Sequence, residues 1–565
     1  MDTHTLFVNG AILLLCIVFL RHAIYRVRYF LQMLQQHGYK THEYRSWLFD
    51  YFSQRVITIE HILYNVVILA MLYILSFRVT FAAGLLIMLV FALFWFGSTG
   101  RYRPDKEKKP LVVTNRVKRL LFSLALFVGP LYYAIWWLMF YLHPIGQSPA
   151  LAAPVGMYWT YDPYFLGFLL VLADILIPFL IFPAAWLMKP VETSIQNGFK
   201  RQARKKLASM PHLTVVAITG SYGKTSTKFI LDTFLKERFQ VCTTPGSYNT
   251  PMGICKVINN DLEAAHQVLI LEMGARYPGN IKELCEIAQP DLSIVTVVGL
   301  SHLESFGSVE TVAHEKATLA RELKPGGTLV LNGNDPVTAA MDDGRKDIRV
   351  VKTGAGGSVS ASNPEISEKG TAFTLHIQST DRYPASKHRI STPLLGHHNI
   401  DNILLSAAAA LSLGVRPETI AIAAGKLQPV EHRLELKQRG ALTIIDDAFN
   451  SNPVGAKNAV DVLASFSGGK RIIITPGMIE LGDREEEENR TFGEHIGRSG
   501  IDLAILVGEE RTRPIREGIL NCAENGRPDV VTVRTLFEAN ELLQTRAGEG
   551  DVVLYENDLP DAFNE

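Results

Sequence analysis

The stretch Val215-Val-Ala-Ile-Thr219-Gly220-Ser-Tyr-Gly223-Lys224-Thr225-Ser226-Thr227-Lys228 decides the reading of this chain. An apolar run of strand type meets a Gly-rich turn, then Lys-Thr. Apolar positions at helical spacing follow through Phe229, Ile230, Leu231, Phe234 and Leu235. A strand, turn and helix of this composition form a phosphate-binding loop. Glycines let backbone N–H groups close around phosphate oxygens, and the helix N-terminus adds a favourable dipole. Lys224 reaches the terminal phosphates, and the Thr225 hydroxyl is placed to ligate Mg²⁺. Gly220, Ser221, Gly223, Lys224, Thr225 and Ser226 are therefore candidate nucleotide-binding residues. Only two residues separate Gly220 from Gly223, so the loop is a short form of the usual one.

At 565 residues the chain is too long for one core, and several domains are expected. Lys+Arg and Asp+Glu each total 56, which leaves no basic excess and argues against a nucleic-acid partner. The five cysteines have no CxxC spacing, so neither a disulfide framework nor a zinc site follows. Residues 1–190 are rich in Leu, Phe, Trp and Tyr and carry apolar segments near Leu6–Leu20, Ile59–Phe77, Val79–Gly97, Leu120–Leu142 and Phe165–Met188. These lengths predict an α-helical membrane domain of about five transmembrane helices, with the lipid bilayer as a partner. Basic residues cluster after the first span (Arg21, Arg26, Arg28, Lys40, Arg45, Arg55) and after the third (Arg101, Arg103, Lys106, Lys108, Lys109, Arg116, Lys118, Arg119), whereas His143 to Tyr164 has none. The positive-inside rule then predicts an integral protein of the cell's inner or plasma membrane, with its N-terminus outside and everything after Met188 cytoplasmic. Asp174, inside the fifth span, is either a functional carboxylate or the partner of a neighbouring helix. Residues 191–212 read as a basic helical linker, expected along an anionic leaflet.

Beyond the loop, strand-like runs at Val241–Thr244, Val268–Met273, Leu292–Val298 and Thr328–Leu331 alternate with helical patterns. Residues 213–428 are thus predicted to be an α/β domain with a parallel sheet. Ligands gather at the carboxyl ends of such strands. Glu272 ends one strand-like run, a suitable place to hold Mg²⁺ against phosphates, and His302 follows another. The polar stretch Ala355–Leu395 is expected to be an antiparallel excursion. A second alternation, with strands near Leu442–Ile445, Arg471–Thr475, Leu503–Val507 and Val552–Leu554, predicts a Rossmann-like α/β domain over residues 429–565.

Eight motifs in order carry a resemblance: GSYGKTST, TTPGSYNTPMGI (Thr243–Ile254), LEMGA (Leu271–Ala275), GLSHLESFGS (Gly299–Ser308), Lys316, GHHNIDN (Gly396–Asn402), EHRLE (Glu431–Glu435) and DDAFNSNP (Asp446–Pro453). From Leu213 to the C-terminus the chain resembles the Mur ligase family, most of all the members that add D-alanyl-D-alanine to a muramoyl tripeptide. The resemblance implies ATP and Mg²⁺ as cofactors. It implies catalytic roles for Lys224, Lys316, His302 and Arg433, with Lys316 at the position of a carbamylated lysine, and metal binding by Thr225, Glu272 and His302. It places Asn399 and Asn402 near the nucleotide base, Arg433 on the phosphates and Asp446 or Asp447 on the ribose. Asn249, Thr250, Asn450 and Asn452 would shape the substrate cleft.

Several departures accompany the resemblance. Phe449 stands where Tyr is common and His432 where Gly is common, and the segment Val553–Asp561 replaces a Lys-Gly-Ser. The family's N-terminal UDP-sugar-binding domain is absent from the sequence, and the apolar segment stands in its place. The expected function is an ATP-dependent, ADP-forming amide ligase at a membrane, joining an amino acid or dipeptide to a carboxylate acceptor that is lipid- or nucleotide-linked. A poly-γ-glutamate synthase and an ATP-driven transporter are the alternatives.

Overall fold

The computed structural model describes residues 3–59, 62, 81–102, 110–142, 162–300, 302–342, 344–449, 451–522 and 526–558. The chain divides into two compact units at residues 195/196.

The first unit is helical, with helices Thr3–Gln36, Thr41–Asp50, Phe81–Ser98, Asn115–Leu142 and Asp162–Ala208, the last running on beyond the unit. Four of the expected spans fall on these helices, and the one near Ile59–Phe77 lies outside the described residues apart from 59 and 62. Among the described residues, one helical stretch, Leu170–Ala208, is long and apolar enough to cross a membrane. The Asp174 carboxylate is fully buried, with Oδ1 at 3.1 Å from both His22 Nε2 and Arg26 Nε. Arg26 also donates to the Tyr102 hydroxyl at 2.6 Å and to the Val56 carbonyl at 3.0 Å. A buried charge costs little only when so paired, and these partners tie Asp174 to a neighbouring helix, one of its two expected roles.

Helix Asp162–Ala208 continues unbroken through the expected linker. Its lysines meet protein: Lys200 Nζ lies 2.5 Å from Glu283, and Lys206 Nζ donates to the Asn259 carbonyl at 3.1 Å. Arg201, Arg204 and Lys205 of the same stretch remain exposed.

The second unit contains two sheets. The first has nine strands: β1 Thr214–Thr219, β2 Val241–Thr243, β3 Val268–Glu272, β4 Leu292–Val295, β5 Thr328–Asn332, β6 Arg349–Thr353, β7 Val359–Ser367, β8 Gly370–Ile377 and β9 Ser386–Thr392. Their order is β2-β3-β1-β4-β5-β6-β7-β8-β9. β1 to β6 pair in parallel, with β3, β1 and β4 buried along nearly their whole length. Strands covered on both faces read as continuous apolar runs, and these do. The expected excursion is the β7–β8–β9 meander, antiparallel throughout. Helices Lys224–Lys236 and His397–Ser412 pack on one face of the sheet and share a core with Val216, Ile218, Ile270 and Ile294.

The second sheet comprises β10 Glu435–Arg439, β11 Leu442–Asp447, β12 Arg471–Thr475, β13 Leu503–Val507, β14 Asp529–Val533 and β15 Val552–Glu556, in the order β10-β11-β15-β12-β13-β14. Only β10 is antiparallel to its neighbour. This is the expected Rossmann-like domain with one added edge hairpin.

Candidate active site

A cleft of about 290 Å³ lies between the two α/β domains. It is lined by the loop Ser221–Ser226, by Glu272, His302 and Asn402 of the central domain, and by Arg433, Asp447, Asn452 and Glu480 of the C-terminal domain. The loop has its shape because two positions admit no side chain. Gly220 has φ +148°, and a Cβ there would sit 1.9 Å from Thr296 Oγ1. Gly223 has φ +78°, and a Cβ there would sit 2.5 Å from Asn402 Oδ1. Left-handed backbone together with close packing leaves only glycine.

Helix Lys224–Lys236 starts at this turn. Lys224 Nζ folds back onto the carbonyls of Gly220 (2.8 Å) and Ser221 (3.1 Å), as an ammonium does at the centre of a phosphate cradle. Burial lowers its pKa to about 8, against the opposing pull of Glu272. Thr225 Oγ1 donates to Glu272 Oε2 at 2.9 Å. Asn249 Nδ2 donates to Glu272 Oε1 at 3.1 Å, an approach that Gly274 permits, since a Cβ there would lie 2.7 Å from Asn249. Asn402 accepts from Thr227 and donates to Asn399, whose own amide donates to the Leu395 carbonyl, so both asparagines are fixed beneath the loop.

The C-terminal domain reaches into the cleft through Arg433, whose Nη2 lies 3.4 Å from Thr225 Oγ1. Its guanidinium lies 4.5 Å from the centre of the Phe449 ring, so the Phe that replaces the common Tyr still offers an aromatic face. His432 has φ +58° and Leu434 +48°. The left-handed turn explains why glycine is common at position 432. Asp447 faces the cleft, with its pKa raised to about 6 by burial, and accepts from the Leu434 N–H. Asp446 does not line the cleft: it is held by His432 Nδ1 (2.8 Å) and Lys437 Nζ (2.6 Å) at the base of the hairpin. Of the two aspartates, Asp447 is the one that lines the cleft.

Other expected residues separate in the same way. Thr250 caps helix Pro251–Asn260, accepting from the Gly253 N–H at 3.3 Å, and does not line the cleft. Asn452 does both, lining the cleft and capping helix Pro453–Ala464. Asn450 lies outside the described residues. His302 lines the cleft, with Nδ1 at 2.6 Å from Glu480 Oε2. Lys316 does not line the cleft and is nearly fully buried; burial, reinforced by the charge of Lys224, lowers its pKa to about 7.

Sequence reasoning missed Lys228, whose ammonium is fully buried, 3.5 Å from Glu272 Oε2, and bonded to the Gly246 carbonyl. Its spacing of four residues from Lys224 puts both on one helix face, a signal that could have found it. It also missed Glu556, whose carboxylate is 1% exposed, is held by Ser451 and by Thr475 (2.6 Å), and has its pKa raised by burial to about 7.

A phosphate loop on a parallel sheet, faced by an arginine from a second Rossmann-like domain, defines a two-domain nucleotide-dependent α/β enzyme. Residues 218–410 match the Mur ligase middle domain and residues 432–555 the Mur ligase, glutamate ligase domain. The UDP-N-acetylmuramoyl-tripeptide--D-alanyl-D-alanine ligase of Bacillus subtilis (strain 168) is 31% identical over 347 residues, 60% of this chain and 72% of the relative. The enzyme of that name from Mycobacterium tuberculosis (strain ATCC 25618 / H37Rv) is 35% identical, over 53% of this chain and 59% of the relative. Among solved structures, MurF from Acinetobacter baumannii aligns at a TM-score of 0.58 and 26% identity, covering 64% of this chain and 77% of that one. The MurF ligase from Thermotoga maritima in complex with ADP aligns at 0.56 and 27% identity, covering 64% and 80%. The chain belongs to the Mur ligase family of ATP-dependent, ADP-forming amide ligases.

The residues present fit that family's cofactors, ATP and Mg²⁺. The two glycine positions cradle phosphate, and three cations, Lys224, Lys228 and Arg433, converge on Glu272. Thr225 and Glu272 offer hard oxygen donors side by side. Among the described residues no group of three or more His, Cys, Asp and Glu is arranged to hold a metal. Magnesium takes one or two carboxylates and completes its shell with phosphate and water.

Proposed function

We propose that this chain is a membrane-embedded amide ligase with a cytoplasmic active site. It joins an amino acid or dipeptide to a carboxylate of a cell-envelope precursor through an acyl phosphate. The observation that carries the reading is the convergence of Lys224, Thr225 and Glu272 with Arg433 across the domain cleft. Carboxylate attack on the γ-phosphate brings two anions together, so positioned cations are the first requirement. Lys224 and Arg433 neutralise the transferring phosphoryl group from opposite domains, and Asp447 orients the nucleotide through its ribose. Magnesium, when bound, supplies charge neutralisation at the phosphates, with Thr225, Glu272 and His302 as the residues to hold it. The attack forms the acyl–phosphate bond and releases ADP. The amine then attacks the acyl carbon, loses a proton and expels phosphate. Closure of the cleft keeps water from the acyl phosphate. Lys316, whose pKa burial lowers to about 7 so that about half of its amine is unprotonated near pH 7, is suited to carbamylation.

Membrane embedding is supported by apolar side chains exposed on the first unit: Leu13, Leu14, Ile17, Leu20 and Ile24 on helix Thr3–Gln36, and Leu86, Leu89, Leu93 and Phe96 on helix Phe81–Ser98. Exposed apolar area of this extent is uncommon on a protein bathed in water. The exposed apolar faces of this unit favour a lipid-linked acid as the acceptor.

The test is a screen of envelope acids against amines with the full chain in detergent, following ADP. Release that requires one acid and one amine together, and that Lys224→Ala abolishes, is expected. A folded, nucleotide-binding chain that gives no acid- and amine-dependent product across such precursors contradicts the proposal. Fractionation checks the location: the chain is expected in membranes after an alkaline wash, and recovery in the supernatant contradicts embedding.

A further inference from the structure

Glu480 belongs to the C-terminal domain, in the loop between β12 and helix Glu485–Arg498. Its carboxylate forks between two residues of the central domain: Oε2 lies 2.6 Å from His302 Nδ1, and Oε1 lies 3.0 Å from Arg276 Nη2. Arg276 follows β3, and His302 follows β4, so each stands beyond the carboxyl end of a strand that faces the nucleotide loop. Both ends of the His302–Glu480 contact are held in left-handed backbone, His302 at φ +55° and Glu480 at φ +64°. Non-glycine residues adopt that conformation at a cost, and it persists where the surroundings fix it. The next turn of the loop packs against the same segment: a Cβ on Gly482, itself at φ +59°, would touch the backbone of Glu304 at 3.7 Å.

The chemistry of this contact is directional. A histidine that donates Nδ1–H to a carboxylate has its tautomer and ring plane set, and its free lone pair is left on Nε2. Glu480 can do this only while the two domains are together. We propose that Glu480 is a positioning residue that makes magnesium loading and domain closure one event: the C-terminal domain orients His302 toward the nucleotide metal, and the loaded metal in turn favours the closed arrangement. The proposal rests on the reading of the cleft as a Mg·nucleotide site. Binding equilibria that share one step are coupled equally in both directions, so loss of the carboxylate weakens both together. A contact that only steadies the fold would move neither in a Mg²⁺-dependent way.

The experiment uses the full chain in detergent, a fluorescent ADP analogue titrated with Mg²⁺, and the radius of gyration from X-ray scattering with contrast-matched detergent. In the wild type, Mg²⁺ tightens ADP binding, and Mg·ADP compacts the chain. Glu480→Ala is expected to raise the Mg²⁺ concentration for half-effect by about tenfold or more and to reduce the compaction. Glu480→Gln keeps an acceptor for the imidazole and is expected to fall between. The isosteric variant also guards against misfolding, since thermal melting reports whether it folds like the wild type. If both variants titrate with Mg²⁺ and compact as the wild type does, the proposal is overturned. A wild type whose ADP binding ignores Mg²⁺ overturns the underlying nucleotide reading, and the proposal with it.

Discussion

Glu272 and Glu556 are each the last residue of a parallel strand, each in one of the two α/β domains, and each 1% exposed. Their neighbours differ. Around Glu272 stand Lys228 at 3.5 Å, the Thr225 hydroxyl at 2.9 Å, and the charges of Lys224 and Arg433. Around Glu556 stand two hydroxyls, from Ser451 and Thr475, and the carboxylate of Asp447, its register partner on β11. Burial alone pushes a carboxyl toward its neutral form, and nearby cations or hydrogen bonds to the charged form oppose that. The same strand-end position therefore stands among cations in one domain and, in the other, holds a carboxyl raised to about 7 that sits half-protonated at neutral pH. Position on the sheet selects where chemistry can occur, and the surrounding charges decide which chemistry it is.

The comparison breaks most visibly at its cationic side. Lys224→Met removes the cation at the centre of the cradle and is expected to lower ATP turnover by at least about a thousandfold, with the melting temperature little changed. Next, Glu272→Gln leaves Lys228 buried beside a neutral amide. It is expected to cost about 3 kcal/mol of stability in denaturant titration and to abolish the Mg²⁺ dependence of nucleotide binding. Glu556→Gln should act in the opposite sense. The folded-state pKa of about 7 lies above the ordinary 4.5, so the folded chain holds the extra proton between those values and loses stability as pH rises through them. The amide, which carries no charge to bury, is expected to be more stable than wild type by about 3 kcal/mol at pH 8, with no difference below pH 4.5. A stabilised Glu272→Gln, or a destabilised Glu556→Gln at pH 8, would dissolve the distinction. The smallest effect is expected at Lys200→Ala. It removes a partly exposed ion pair with Glu283 and should cost at most about 1 kcal/mol.

What the sequence revealed follows the same division. The loop, Glu272 and the buried parallel strands were legible because each is a local pattern: glycines at a strand-to-helix turn, a carboxylate closing an apolar run. β10, with the sequence ELKQR, lacks an apolar run and left no signal, whereas β14 carries the strand-type run Val-Val-Thr-Val, which the sequence reading passed over. Lys228 had a signal in its helical spacing from Lys224, but its burial beside Glu272 depends on the neighbouring strand. Contacts between distant segments were not legible at all. Nothing near Glu556 in sequence announces Ser451, and nothing near His302 announces Glu480, because each pair is joined only when separate elements meet. Asp446 and Asp447 show the limit most simply: adjacent strand residues point to opposite faces, so one ends in the hairpin and the other in the cleft.

The central claim is that ATP at the Gly220–Thr225 loop activates a carboxylate. The most direct measurement supplies the full chain, ATP and Mg²⁺ with the acid and amine found by screening, the acid carrying heavy oxygen in its carboxylate. One heavy oxygen is expected in each inorganic phosphate released, alongside ADP and the amide. Phosphate whose new oxygen comes only from water, formed at the same rate without the acid, would contradict it.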